Sequence, residues 1–305
     1  MTLGLTTRER FTASAPERVR QTVALVERRG YALSPSRIAA LCLGGPLSEQ
    51  EVLAAVAASP GLVIADGLVA SELLAAKAAR LRARQRAHLF AAPSYRLAAV
   101  RFAVRLASRL PFVLAVSIAG SLASGGFTET DDVDLNLVVE DRHKHLAYVG
   151  ANLLGLLNAV RYRTKPVDDL SARPLAPRVM TVNLVLELSD CFPLARTDAD
   201  MAYELLTAEP VVGAPLLEEI VLRNQDLLNH FPQLAQRRAP LAREPSWRAP
   251  RSLFPAALDR PARTLGRAAW RYMQWTRRSR PEALARVAYV RATMAPYTLF
   301  ADADH

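Results

Sequence analysis

The stretch from Ala119 to Glu140, AGSLASGGFTETDDVDLNLVVE, restricts the fold more than any other part of the chain. From Val133 onward it has the apolar density of a buried strand, yet it is entered through two aspartates one residue apart. Alternate residues of a strand share a face, so Asp132, Asp134 and Asn136 point one way while Val133, Leu135 and Leu137 point the other. The apolar set packs into a core and the two carboxylates emerge together. Two carboxylates held side by side repel, and one takes up a proton unless a cation lies between them. A hard, oxygen-seeking ion such as Mg²⁺ or Mn²⁺ suits the pair. The competing reading is a turn-capping or arginine-paired couple, a role that Asp131 fills better. His143 and His145, at the start of the next helix, read as solvated histidines.

Just before the strand lies Gly120-Ser121. Glycine lets a backbone approach a ligand closely, and the serine adds a hydroxyl and an amide N–H. Phosphates bridging that turn and a metal on Asp132 and Asp134 would make a nucleotide site.

Around this centre the periodicity sets an order of elements. A helix over 16–29 stops at Gly30. A short helix follows Ser34-Pro35, and another opens on a capping box, Ser48 to Glu51. LVIADGLVA turns as a tight hairpin at Asp66-Gly67. Three helices and a hairpin are the layout of a winged helix, expected over 1–75. A basic connecting helix is expected at 76–93, with the helical pattern running over 71–92. A second helix follows from Tyr95 to Leu110. FVLAVSIAG, DVDLNLVVE and RVMTVNLVLEL read as three strands, with a helix over HLAYVGANLLGLLNAV between the second and third. These place an α/β (α+β) core with a small mixed sheet at 94–195. A helical C-terminal domain is expected at 196–305, with helices at 198–206, 214–231, 258–278 and 281–294. It is interrupted by a loop rich in proline and arginine at 232–255.

The net charge of +10 is unevenly spread. No acidic residue lies between Glu72 and Glu129, where Lys77 and a series of arginines from Arg80 to Arg109 fall, and a second basic region runs from Arg237 to Arg291. That asymmetry favours an anionic partner and admits nucleic acid, although an arginine-rich surface alone accounts for it equally well. Two cysteines, Cys42 and Cys191, suggest neither a disulfide framework nor a zinc site. No stretch has the length of a membrane span and the first twenty residues lack an apolar signal core, so a cytoplasmic protein without a membrane span is expected.

The Gly-Ser turn followed after about ten residues by an Asp-x-Asp strand resembles the nucleotidyltransferase superfamily typified by DNA polymerase beta. The resemblance is closer to a group of prokaryotic nucleotidyltransferase-domain proteins with an N-terminal winged-helix-like segment. VSIAGSLASG and DDVDLNLVVE match their core, and Asn183 an asparagine of the third strand. MAYELLTAEPVVG and NQDLLNHFP match later segments. EDRHKHLAYVGANL replaces their Leu-Trp-x-x-Arg segment, and Val182 their Cys or Leu.

The resemblance implies Mg²⁺-dependent (or Mn²⁺-dependent) transfer of a nucleoside monophosphate from an NTP, ATP being the commonest, to the hydroxyl of an unidentified acceptor. Asp132 and Asp134 would hold metal, and Gly120 and Ser121 the phosphates. A third carboxylate on a later strand completes the site in the superfamily. Glu187 is the candidate, since Asn183, Val185 and Glu187 share a face by alternation; it reads equally as a strand-end surface residue, with Asp190 the fallback. Arg161, Arg163 and Lys165 are candidates to neutralise leaving-group charge, and equally ordinary surface cations. Two other readings stand: a retired nucleotide binder lacking the third carboxylate, and a winged-helix regulator binding nucleic acid.

Overall fold

The computed structural model describes residues 13–162 and 179–300. By its contacts the chain divides into two units. The first comprises 1–87, 196–206 and 221–238. The second comprises 88–195, 207–220 and 239–305. The contacts divide the chain at 87/88, rather than at 75 or 93, then at 195/196, and again at 206/207, 220/221 and 238/239. In particular, 196–305 does not separate as one helical body.

The first unit opens with α1 (Ala15–Arg28), α2 (Pro35–Ala40) and α3 (Glu49–Ala57). Ser34 caps α2 by accepting from Arg37 N. The Ser48–Glu51 capping box closes in both directions, with Ser48 N donating to Glu51 at 2.7 Å and Glu51 N to Ser48 at 3.2 Å. The antiparallel hairpin of β1 (Leu62–Ala65) and β2 (Leu68–Ser71) turns at Asp66 and Gly67, both at positive φ (50° and 73°). α4 (Glu72–Ala75) follows. Arg29 explains why residues 196–206 belong here. Its guanidinium meets Glu204 at 3.0 Å and the Asp200 carbonyl at 2.7 Å.

α5 (Ala78–Arg109) is one helix of 32 residues, where two were expected. Pro93 lies inside it on the exposed side. It removes one backbone hydrogen bond without ending the helix. Burial of Ala99, Phe102, Ala103 and Leu106 against the sheet holds the following turns in line. Each such large side chain contributes about 2 kcal/mol.

The second unit is built on β3 (Val113–Ile118), α6 (Gly120–Ser124), β4 (Val133–Val139), α7 (Lys144–Ala159) and β5 (Met180–Glu187). After α8 (Ala199–Thr207) comes β6 (Glu209–Val212), a strand absent from the sequence reading. The four strands form one mixed sheet in the order β5-β4-β3-β6, parallel between β4 and β5 and antiparallel elsewhere. Pro210 sits on the edge strand, where its missing N–H costs least. Val116, Ile118, Leu135 and Leu137 face a core shared with α5 and α7. The chain continues through α9 (Ala214–Arg223) and α10 (Asp226–His230) to α11 (Asp259–Arg277) and α12 (Pro281–Met294). Among the described residues no helix is long and apolar enough to cross a membrane. Cys42 and Cys191 are buried and are not joined in a disulfide.

α7 is capped from outside its own sequence. His143, its N-cap, makes no side-chain capping bond. Asp259 of α11 accepts from Leu146 N at 2.8 Å and from His145 Nδ1 at 2.7 Å. Burial raises the Asp259 carboxyl, but those hydrogen bonds outweigh it and hold it below the ordinary carboxylate value. A depressed carboxylate stabilises the fold above its unfolded-state pKa and loses that contribution as pH falls through its folded-state pKa. Asp259→Ala is expected to lower unfolding free energy by about 1 kcal/mol at neutral pH. The gap from wild type should close in denaturant titrations at strongly acid pH; a gap unchanged there would contradict the assignment.

Candidate functional site

The proposed site stands at one end of the mixed sheet, where β3 finishes and β4 begins. Ala119 N donates to the Asp134 carbonyl at 2.8 Å, so the chain leaving β3 stays locked to β4 as it turns into α6. Gly120 sits at φ +60°, in the left-handed region. A Cβ placed there would collide with Asp134 Oδ2 and come within 2.9 Å of its Cγ. Both the backbone conformation and the lack of room select glycine. The turn therefore lies directly on the Asp134 carboxylate.

Ser121 is tied in from the other side. Its hydroxyl donates to Asp131 Oδ2 at 3.2 Å, and the same oxygen accepts from Thr128 N at 3.0 Å. Asp131 thus braces the loop, the capping role anticipated for it. Asp132 precedes β4 and is half-buried. Val133 N donates to the Val179 carbonyl at 2.8 Å, which extends the ladder to this point. Asp132 stands two residues before Asp134, about 6.6 Å on extended chain, and alternation assigns it to the face of Asp134. Asn136, also on that face, is buried and pairs with Ser117 of β3.

Across from Asp134 stands a hydroxyl that the sequence reading had not singled out. Thr181 of β5 is in register with Asp134, and its Oγ1 donates to Asp134 Oδ1 at 3.0 Å. Glu187, expected to complete the site, does not reach it, for two reasons. It pairs with Val139, six residues beyond Thr181, which is about 20 Å along the strand. The register also shifts between Leu135 and Asn136, whose partners are Val182 and Leu184. Asn183 is the extra residue of a bulge, and one extra residue exchanges the two faces downstream. Glu187 therefore shares the face of Leu135, Leu137 and Val139, opposite Asp134. Its carboxylate accepts from Arg142 N at 2.7 Å, and its own N–H donates to Asp190 at 2.9 Å. Asp190, bonded there and 3.5 Å from Lys144, is excluded as the fallback by the same displacement.

The histidines are not solvated. His143 is buried, stacked on Phe112, with its ring nitrogens 2.9 Å from the Asp141 carbonyl and 3.0 Å from that of Phe254. His145 is held by Asp259. Arg161 lies in a 3₁₀ turn (Val160–Tyr162) after α7, while Arg163 and Lys165 fall outside the described residues. Among the described residues no three histidine, cysteine or acidic side chains gather in metal-binding range. Two carboxylates, a facing hydroxyl and a glycine cradle fit a Mg²⁺ whose remaining ligands are water and substrate phosphates, the coordination this ion ordinarily takes. No family model, curated protein or solved structure matches the chain.

Gly120→Ala must move either the turn or Asp134. The expected outcome is a loss of about 1–3 kcal/mol in denaturant unfolding, accompanied by loss of Mn²⁺ binding measured by electron paramagnetic resonance. Retention of both would show that the turn does not rest on the carboxylate.

Proposed function

We propose that the α/β core is a nucleotidyltransferase-type domain that binds a Mg²⁺–nucleoside triphosphate, with ATP the commonest candidate. The carrying observation is the Gly120 turn lying against the Asp134 carboxylate, with Asp132, half-buried, two residues before it. Asp132 and Asp134 would hold the cation through oxygen, and Thr181 fixes the orientation of Asp134. The Gly120-Ser121 backbone would receive the terminal phosphates, and the missing Cβ lets it approach them. When bound, the cation would neutralise phosphate charge and orient the α-phosphorus.

The superfamily reaction, attack of an acceptor hydroxyl on that phosphorus with loss of pyrophosphate, also needs a group to take up the hydroxyl proton. Glu187 was the candidate, and it lies on the other face. At the position facing Asp134 the chain has Thr181, whose hydroxyl donates to Asp134 and is a poor base at neutral pH. Among the described residues this favours nucleotide binding over transfer.

In the first unit, three helices precede a hairpin in the order of a winged helix. Its third helix carries Glu49 and Glu51 and no arginine. A major-groove helix needs cations. This module fits packing or protein contacts better than DNA reading.

Calorimetric titration with Mg²⁺–ATP tests the site. Wild type is expected to bind, and Asp132→Asn with Asp134→Asn to weaken binding about tenfold or more; equal binding by both would sink the assignment. With labelled NTP and cell extract, the binding reading expects no transfer of label. Label on an acceptor, abolished by the same double substitution, would restore the transferase reading. Thr181→Asp, which places a third carboxylate against Asp134, should tighten Mn²⁺ binding several-fold. Unchanged affinity would mean Thr181 does not border the ion.

A further inference from the structure

α11 carries a surface that the nucleotide site does not use. Its sequence, DRPARTLGRAAWRYMQWTR, contains one acidic residue, Asp259, already engaged by His145 and Leu146 N. Arg260, Arg267, Arg271 and Arg278 recur at i, i+7, i+11 and i+18, which places them on one stripe of the helix. The opposite face, with Ala262 and Gly266, is buried. Gly266 meets Tyr148 and Val149 of α7 and Phe300.

Beside the arginine stripe, Tyr272 and Trp275 are 41% and 48% exposed. Their rings stack at 5.9 Å between centroids, inclined by 27°. The Arg278 guanidinium lies over the Trp275 ring at 4.0 Å. This aromatic pair, with Arg278 over Trp275, is continuous with exposed Arg260 and Arg271 and half-buried Arg267, and it offers ring surface to bases and cations to the phosphates joining them.

We infer that this face of α11 is a binding surface for single-stranded nucleic acid, with bases stacking on Tyr272 and Trp275 and the backbone following the arginine stripe. The composition favours a single strand over a duplex, because paired bases keep their π-faces inside the stack. An anionic membrane would also attract the arginines. The aromatics, however, sit beside the cationic stripe on the outward face, while the helix's apolar side is packed against α7. The surface is independent of the Mg²⁺–nucleotide reading.

The test uses the whole 305-residue chain and a fluorescently labelled oligo(U), followed by anisotropy at several salt concentrations. Wild type is expected to bind with strong salt dependence, and tryptophan emission to be quenched. Tyr272→Ala with Trp275→Ala should weaken binding about tenfold or more. Arg260→Ala with Arg278→Ala, two exposed positions, should flatten the log–log salt slope by about 1.4. Asp132→Asn with Asp134→Asn should leave the affinity for oligo(U) unchanged, which separates this surface from the nucleotide site. No binding, equal binding by the aromatic variant, or binding to phosphatidylglycerol vesicles without binding to oligo(U) would each overturn the inference.

Discussion

The contact between Gly120 and the Asp134 carboxylate is the constraint on which the site depends. A strand that buries Leu135 and Leu137 would ordinarily place its first polar side chains in water. Here the chain leaving β3 folds back over Asp134, and it does so only because residue 120 has no Cβ and accepts φ +60°. Asp131 then fastens the loop through Ser121 and Thr128, and Thr181 fastens the carboxylate itself. Neighbouring aspartates thus have different tasks: Asp131 braces the loop, while Asp134 is held by Thr181 beneath the Gly120 turn.

A second constraint acts through the register of β4 and β5. The single extra residue at Asn183 exchanges the faces of everything that follows it in β5. Upstream of it, Thr181 meets Asp134; downstream, Glu187 turns to the other side and closes the loop at Arg142. The bulge therefore separates the residues around Asp134 from those that hold the far end of the sheet.

Much of the core was legible because its signals are local. The alternation in VDLNLVV, the Ser48–Glu51 box and the Asp66-Gly67 turn each depend on a few adjacent residues, and each appears where the sequence puts it. The hidden parts depend on pairing between distant segments. Strict alternation assigned Glu187 to the aspartate face because a bulge has no sequence mark when the inserted residue is a polar one such as Asn183. EPVV carries a weak strand signal, since it is short and contains Pro210, which only an edge position tolerates. Two helices were expected where α5 runs unbroken through Pro93, because burial of Phe102 and Leu106 holds the following turns in line. His145 and Asp259 stand 114 residues apart, so no reading along the chain would join them.

The most direct test of the site is anomalous scattering from crystals grown with Mn²⁺ and an α,β-non-hydrolysable ATP analogue. The account predicts a manganese peak coordinated by Asp132 and Asp134, with the triphosphate against the Gly120-Ser121 backbone and Glu187 still bonded to Arg142. Ordered nucleotide whose manganese is bound elsewhere, or manganese reached by Glu187, would contradict it.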